Sequence, residues 1–148
     1  MLFSYDYEEK YKEACLELFL DVFRNEPWHY THFEKEKITC YFTDLENTPN
    51  FYGTIFIENE VVVGFCFGVI SDYFGAVSFD IKEIIVRRGK QGEGVGTRML
   101  KYMEENLGKL DVSIITLTTR QEIDAFKFYE KNAYNVSEGA VMMSKFIK

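Results

Sequence analysis

The sequence predicts a single α/β domain with a mixed sheet covered by helices on both faces. Three observations predict it. Apolar residues recur at three- and four-residue steps from Tyr11 to Phe23, the spacing of a helix with one buried stripe. Between Phe51 and Val86 the period changes to extended runs rich in Val, Ile and Phe, as strands require. Beyond Val86, helix-like and strand-like segments alternate, the order of an α/β layer architecture. At 148 residues, 47% of them hydrophobic and 17% aromatic, the chain suits one core, so residues 1–148 are taken as one domain.

The first helix carries Tyr11, Ala14, Cys15, Leu18, Phe19, Val22 and Phe23 on one face and stops around Asn25-Glu26-Pro27, where proline cannot continue it. A shorter helical pattern runs through Ile38, Tyr41, Phe42 and Leu45, and a turn follows from Asn47 to Asn50. Phe51–Glu58 and Val61–Ile70, separated by Asn59-Glu60, read as a hairpin, because a two-residue break between alternating runs is the commonest hairpin signal. A loop is expected from Ser71 to Gly75, and a third strand from Ala76 to Val86. Val95, Met99, Leu100, Met103 and Leu107 form a helical stripe that Gly108 ends. Val112–Thr118 reads as a buried strand, Glu122–Asn132 as a short helix and Met142–Ile147 as a final strand.

Composition excludes several classes of function. A net charge of −7 disfavours nucleic acid and anionic membranes as partners and suits a cationic one. The longest apolar stretches, such as Val61–Ile70, are about half the ~20 residues of a membrane-spanning helix. Met1–Lys10 has no basic start and no apolar run, so the cytoplasm is the expected location. Cys15, Cys40 and Cys66 lie in apolar patterns without C-x-x-C spacing, and His29 and His32 are isolated; buried free thiols are expected, and no metal site.

The segment that carries chemistry is the junction after the third strand, Arg87-Arg88-Gly89-Lys90-Gln91-Gly92-Glu93-Gly94-Val95-Gly96. Glycines between a strand and a helix let backbone N–H groups approach a ligand, and the helix start adds unpaired donors and the positive end of its dipole. The junction therefore fits a phosphate or diphosphate. No Lys-Ser or Lys-Thr pair follows, as a P-loop would need, and the spacing is G-x-G-x-G instead of the G-x-G-x-x-G of a dinucleotide fold.

Val86–Gly96, with Gln91, Gly92, Gly94 and Gly96, resembles the acetyl-CoA signature V-x-P-x-x-[QR]-G-x-G-x-G of the GNAT N-acetyltransferases. Asp80–Val86 resembles the strand before that signature, and Ala125, Phe128, Tyr129, Glu130 and Lys131 resemble a later helix, A-x-x-F-Y-E-K. Three positions depart from the pattern: Arg88 stands for a frequent proline, Glu122 for a frequent asparagine and Ala133 for a common glycine.

The resemblance implies a GNAT-like, mostly antiparallel twisted sheet and acetyl transfer from acetyl-CoA to a primary amine by direct attack in a ternary complex, without a metal. It implies cofactor binding by the backbone of Ile84, Ile85 and Val86 along the pantetheine arm, and by the amides from Gln91 through Gly92, Glu93, Gly94, Val95 and Gly96 to Thr97 around the diphosphate. Glu83 is the expected base and Tyr129 the expected acid. Asp80 is the alternate base, although a three-residue offset would put it on the other face of an unbulged strand. For the acceptor, the family places a pocket around the first two helices, where Glu26 could pair with a cation and Trp28 and Tyr30 could offer ring faces. That segment resembles aminoglycoside acetyltransferases, which adds a cationic polyamine- or aminoglycoside-like acceptor to the options; small amines, amino acids and protein N-termini or lysines stay open beside it. The family is also compatible with a homodimer. The alternative from another class is a non-catalytic acyl-CoA-binding sensor, which would need neither Glu83 nor Tyr129.

Overall fold

The computed structural model describes residues 1–73 and 75–148, in two compact units, Met1–Leu117 and Thr118–Lys148. In the first unit five strands lie side by side in sequence order: β1 (Leu2–Asp6), β2 (Phe51–Glu58), β3 (Val61–Tyr73), β4 (Ala76–Val86) and β5 (Ile114–Thr116). The first four pair antiparallel, and β5 runs parallel to β4. Helices α1 (Lys12–Arg24), α2 (Lys35–Glu46) and α3 (Val95–Lys109) complete this unit, giving the mixed, mostly antiparallel sheet that the sequence predicts.

Alternation along β3 assigns the helices to opposite faces. Phe65 and Phe67 join a buried cluster with Cys15, Leu16, Leu18 and Phe19 of α1 and Ile38, Phe42 and Leu45 of α2. Phe42 is fully buried and meets Phe19, Phe65 and Phe67 edge-on; burying such a side chain stabilises by roughly 2–3 kcal/mol. The intervening residues face α3. Cys66 Sγ lies 3.0 Å from Met103 Sδ, and a Cβ on Gly64 would come within 2.5 Å of Met99 Sδ.

The turn between β2 and β3 has Asn59 at φ 51° and Glu60 at φ 64°, the two left-handed residues of a tight hairpin. Several sequence expectations are corrected. Leu2–Asp6 is a strand, which its single buried residue, Leu2, scarcely advertises. β3 runs on to Tyr73, and Phe74, in the loop expected there, lies outside the described residues. Cys40 is exposed, because it points away from the Ile38, Phe42 and Leu45 stripe by which α2 packs. The strand expected to be buried around Val112–Thr118 is three residues long, with Ile114 52% exposed; it sits at the sheet edge with β4 as its neighbour.

The second unit contains α4 (Asp124–Lys131), close to the expected span. Ala133, just past it, has φ 68°, the left-handed region where glycine is the less strained residue. Met142–Ile147 does not form the expected final strand. A strand is held by its ladder, and among the described residues this unit contains no other strand. Val141, Met142, Met143, Phe146 and Ile147 are exposed. No helix of the described residues is long and apolar enough to cross a membrane.

A polar clamp fixes the rotation of α2. Lys12 Nζ donates to Thr43 Oγ1 at 2.7 Å and pairs with Glu46 Oε2 at 3.2 Å, with both charged side chains about 15% exposed. The Tyr7 hydroxyl donates to the other Glu46 oxygen; burial first, then Glu46, pushes the Tyr7 phenol well above its ordinary range. Lys12→Met leaves Glu46 without its cation and should destabilise the protein by about 1–3 kcal/mol, read as a lower denaturant midpoint at unchanged slope. Lys10→Met, which removes an exposed ion pair to Glu8 at 3.9 Å, should change stability by less than about 0.5 kcal/mol. Equal effects would show that the clamp contributes no more than a surface pair.

Candidate functional site

The register of β3 on β4 shifts between Phe67, which faces Glu83, and Gly68, which faces Ile81. Lys82 is thus the extra residue of a β-bulge, and side-chain parity reverses across it. Glu83 and Ile85 lie opposite Phe67 and Phe65, on the α1 and α2 face, whereas Ile81 and Phe79 lie opposite Gly68 and Ile70. Asp80, opposite Val69, is brought to the Glu83 face. The offset that separates the two carboxylates on an ideal strand is removed by the bulge. Gly68 permits the close approach: a Cβ there would run into the Phe79 ring and come within 2.5 Å of the Asp80 carbonyl oxygen.

The two carboxylates have different surroundings. Both Asp80 oxygens are engaged, one by Lys82 Nζ at 2.8 Å and one by the Thr116 hydroxyl at 2.9 Å. Glu83 is partly buried and accepts a hydrogen bond from the Tyr41 hydroxyl at 2.9 Å. Burial pushes the Glu83 carboxyl up to about 7, and the bond from Tyr41 opposes that rise. A carboxyl at that position can take and return a proton near neutrality. The sequence marks Tyr41 only as part of the apolar pattern of α2; its contact with Glu83 joins α2 to β4 across 42 positions.

β5 pairs with β4 at Ser78, Phe79 and Asp80 only. From Ile81 to Val86, β4 keeps β3 on one side, and among the described residues no strand pairs with its other side. Arg87 N–H donates to the Val63 oxygen at 2.8 Å, so Ile85, two residues earlier, turns its backbone groups to Phe65 of β3; Ile84 and Val86 turn theirs to the open side, where the Val86 oxygen already accepts from Gln91 Nε2 at 3.2 Å.

The chain then turns through Arg88–Gly94 into α3. Gly92 and Gly94 have φ 83° and 78°, so their place in the turn favours glycine. A Cβ at either would meet nothing within 4 Å, which leaves the space over the loop open to a ligand. Gly94 caps α3 with no side-chain bond, and the first amide accepted within the helix is that of Arg98, by Gly94 oxygen at 3.1 Å. The amides of Val95, Gly96 and Thr97 precede it and have no intrahelical partner. This donor set fits a diphosphate. The Val95 side chain is buried and anchors the helix start, while Glu93 lies exposed, 3.7 Å from Lys90. Lys90 also pairs with Glu58 at 2.8 Å, and Arg98 with the other Glu58 oxygen at 3.8 Å. Sequence reasoning missed this brace between β2, the loop and α3, because the anchoring carboxylate lies in a separate strand.

The segment expected to meet the acceptor is an aromatic cluster behind α1. Trp28 and Tyr30 lie 5.8 Å apart, and both contact Phe23, at 5.3 and 6.1 Å. Glu26 precedes a cis bond to Pro27 and is exposed. In the second unit, Tyr129 on α4 lies 5.4 Å from Phe128 and 5.7 Å from Tyr134, ring to ring. Glu122, standing for the frequent asparagine, accepts from Arg120 Nε at 2.6 Å. The expected base and coenzyme residues of the first unit thus lie on β4 and the loop after it, the expected acceptor residues Glu26, Trp28 and Tyr30 on the segment after α1, and Tyr129 on the second unit.

The Acetyltransferase (GNAT) family profile matches residues 12–134. No curated protein matches the chain. Among solved structures, a putative acetyltransferase from Pyrococcus furiosus is 20% identical with a TM-score of 0.79, covering 99% of this chain and 100% of its own. A possible acetyltransferase from Clostridium difficile 630 is 12% identical with a TM-score of 0.82, covering 100% and 99%. An aminoglycoside acetyltransferase from an uncultured soil metagenomic sample, in complex with sisomicin, is 16% identical with a TM-score of 0.75, covering 99% and 97%. At these identities the structures speak for the fold, and the family match, over well over half of the sequence, speaks for descent: the chain belongs to the GNAT acetyltransferase family.

Proposed function

We propose that the protein is an N-acetyltransferase that uses acetyl-CoA as co-substrate, acts on a primary amine in a ternary complex and works in the cytoplasm. One observation carries this reading. A single run of chain, Glu83 to Thr97, holds a carboxyl tuned to neutrality, an open strand edge and a helix start without a side-chain cap.

When bound, acetyl-CoA supplies an acetyl thioester whose carbonyl carbon is the electrophile. The amides from Gln91 to Thr97 hold its diphosphate, and the backbone of Ile84–Val86 pairs with its pantetheine arm, with one N–H polarising the thioester oxygen. An amine is mostly protonated at neutral pH, so its lone pair must be uncovered; Glu83 takes that proton, directly or through a water. Tyr129 gives its phenolic proton to the departing sulfur and recovers one from solvent.

The net charge of −7 and the exposed Glu26 favour a cationic acceptor of polyamine or aminoglycoside type. The Trp28 and Tyr30 rings, braced on Phe23, would offer it a fixed aromatic edge. A homodimer accords with the family. The sensor reading is disfavoured by a carboxyl held near neutrality, which binding alone does not need.

The test is free thiol release from acetyl-CoA with a panel of spermidine, kanamycin, lysine and peptide amines. Release with an amine establishes the enzyme, and tight acetyl-CoA binding without release supports the sensor. With an active amine, the wild-type rate should rise through about pH 7 as Glu83 loses its proton, and Glu83→Gln should remove that limb; an unaltered profile would move the role elsewhere. Tyr129→Phe should lower kcat about tenfold or more with acetyl-CoA affinity nearly unchanged, and equal turnover would remove Tyr129 from the chemistry. Gly94→Ala, forced to hold φ 78° with a Cβ, should weaken coenzyme A binding about tenfold by calorimetry, since strain of ~1–2 kcal/mol falls on the cradle. Unchanged affinity would place the diphosphate elsewhere.

A further inference from the structure

We propose that Tyr41 is a positioning residue for Glu83: its hydroxyl holds Oε1 at 2.9 Å and so leaves Oε2 as the oxygen that exchanges the proton. The inference rests on Glu83 being the base. It adds to that reading a residue of α2 that no motif marks.

The geometry carries it. Among the described residues, Tyr41 is the hydrogen-bond partner of Glu83. Without a second anchor a glutamate carboxylate samples several rotamers, and a base that must meet an amine or a water within hydrogen-bond reach loses rate when it does. Tyr41 is itself placed by its neighbours. Its ring lies 6.0 Å from that of Phe42, at 64°, and Phe42 is buried against Phe67, the residue that faces Glu83 across the strand pair. Two and five positions further along α2, Thr43 and Glu46 are held by Lys12. The helix therefore delivers the hydroxyl from a fixed rotation.

The surrounding charges are few. From α2 the facing group is Tyr41, whose phenol is pushed up by burial and then by Glu83. β3 presents Phe65, Phe67 and Val69 on that face, and its Cys66 thiol, on the α3 face, has its ionisation raised by full burial and then by Glu83. On β4 itself, Lys82 and Asp80 pair with each other. The titratable group that α1 adds to the core, Cys15, feels Glu46 instead. Loss of the Tyr41 hydrogen bond is thus the dominant change that Tyr41→Phe makes to the electrostatics of Glu83.

The test uses the full chain, uniformly carbon-13 labelled, and follows the Glu83 side-chain carboxyl resonance against pH, assigned by its loss in Glu83→Gln. Tyr41 is 36% exposed, so phenylalanine is accommodated there, and unchanged far-ultraviolet circular dichroism confirms the fold. The wild-type resonance should titrate near 7, and Tyr41→Phe should move it upward by about one pH unit, the worth of one hydrogen bond to a carboxylate. With the amine that supports thiol release, kcat should fall several-fold and its acid limb should move up by the same amount, while the KM for acetyl-CoA holds. A Glu83 resonance that titrates near 7 in both proteins overturns the role of Tyr41 and leaves the base intact. A wild-type resonance that titrates in the ordinary glutamate range removes the tuned base itself, and Tyr41 with it.

Discussion

The constraint on which the site depends is the extra residue in β4. Phe79, Ile81 and Ile85 are all buried and all at odd positions, so on an ideal strand they would share a face with Glu83 and crowd one core while starving the other. Placing Lys82 in a bulge lets Phe79 and Ile81 serve one face, and Ile85 and Glu83 the other. It also decides what Glu83 touches. The face it is given is roofed by α2, where burial raises the carboxyl and Tyr41 tempers the rise. A few residues later the same strand is open on its far side and ends at the glycine turn. The Glu83 carboxyl, the open strand edge and the glycine turn are thereby fixed by one backbone path, without a long loop whose ordering would cost entropy.

The roof has to be held as firmly as the strand. α2 has a modest apolar face, Ile38, Phe42 and Leu45, and a short helix with so few anchors can roll. Lys12, Thr43, Glu46 and Tyr7 supply direction where the apolar contacts supply area. Hydrogen bonds and a sheltered ion pair have geometry that dispersion lacks, and they become costly when broken. On the other side of the sheet, Glu58 performs the matching service for the glycine turn through Lys90 and Arg98. Both braces use a carboxylate at the end of an element to fix a neighbour that is distant in sequence.

Much of this was legible in the sequence, and the limits have physical reasons. Periods of three to four and of two located α1 to α3 and the β2–β3 hairpin, because those elements bury one face each. The glycine spacing located the turn into α3, because the positive φ of Gly92 and Gly94 favours a residue without a Cβ. β1 was hidden, since an edge strand that buries Leu2 alone has no pattern to show. The bulge was hidden as well: the signal, Gly68, lies on β3 while the extra residue lies on β4. The Tyr41–Glu83 contact depends on the rotation of α2 over the sheet, which no local pattern records. Met142–Ile147 has the composition of a strand, yet composition supplies no pairing partner.

The most direct measurement is a titration of the nitrogen-15-labelled protein with coenzyme A, following the backbone amide resonances. The account predicts the largest shifts at Gln91 to Thr97 and a second group at Ile84 to Val86, with the amides of α1 nearly still. Shifts centred on another part of the sheet, or none at millimolar ligand, would contradict the claim that β4 and the turn after it form the coenzyme site.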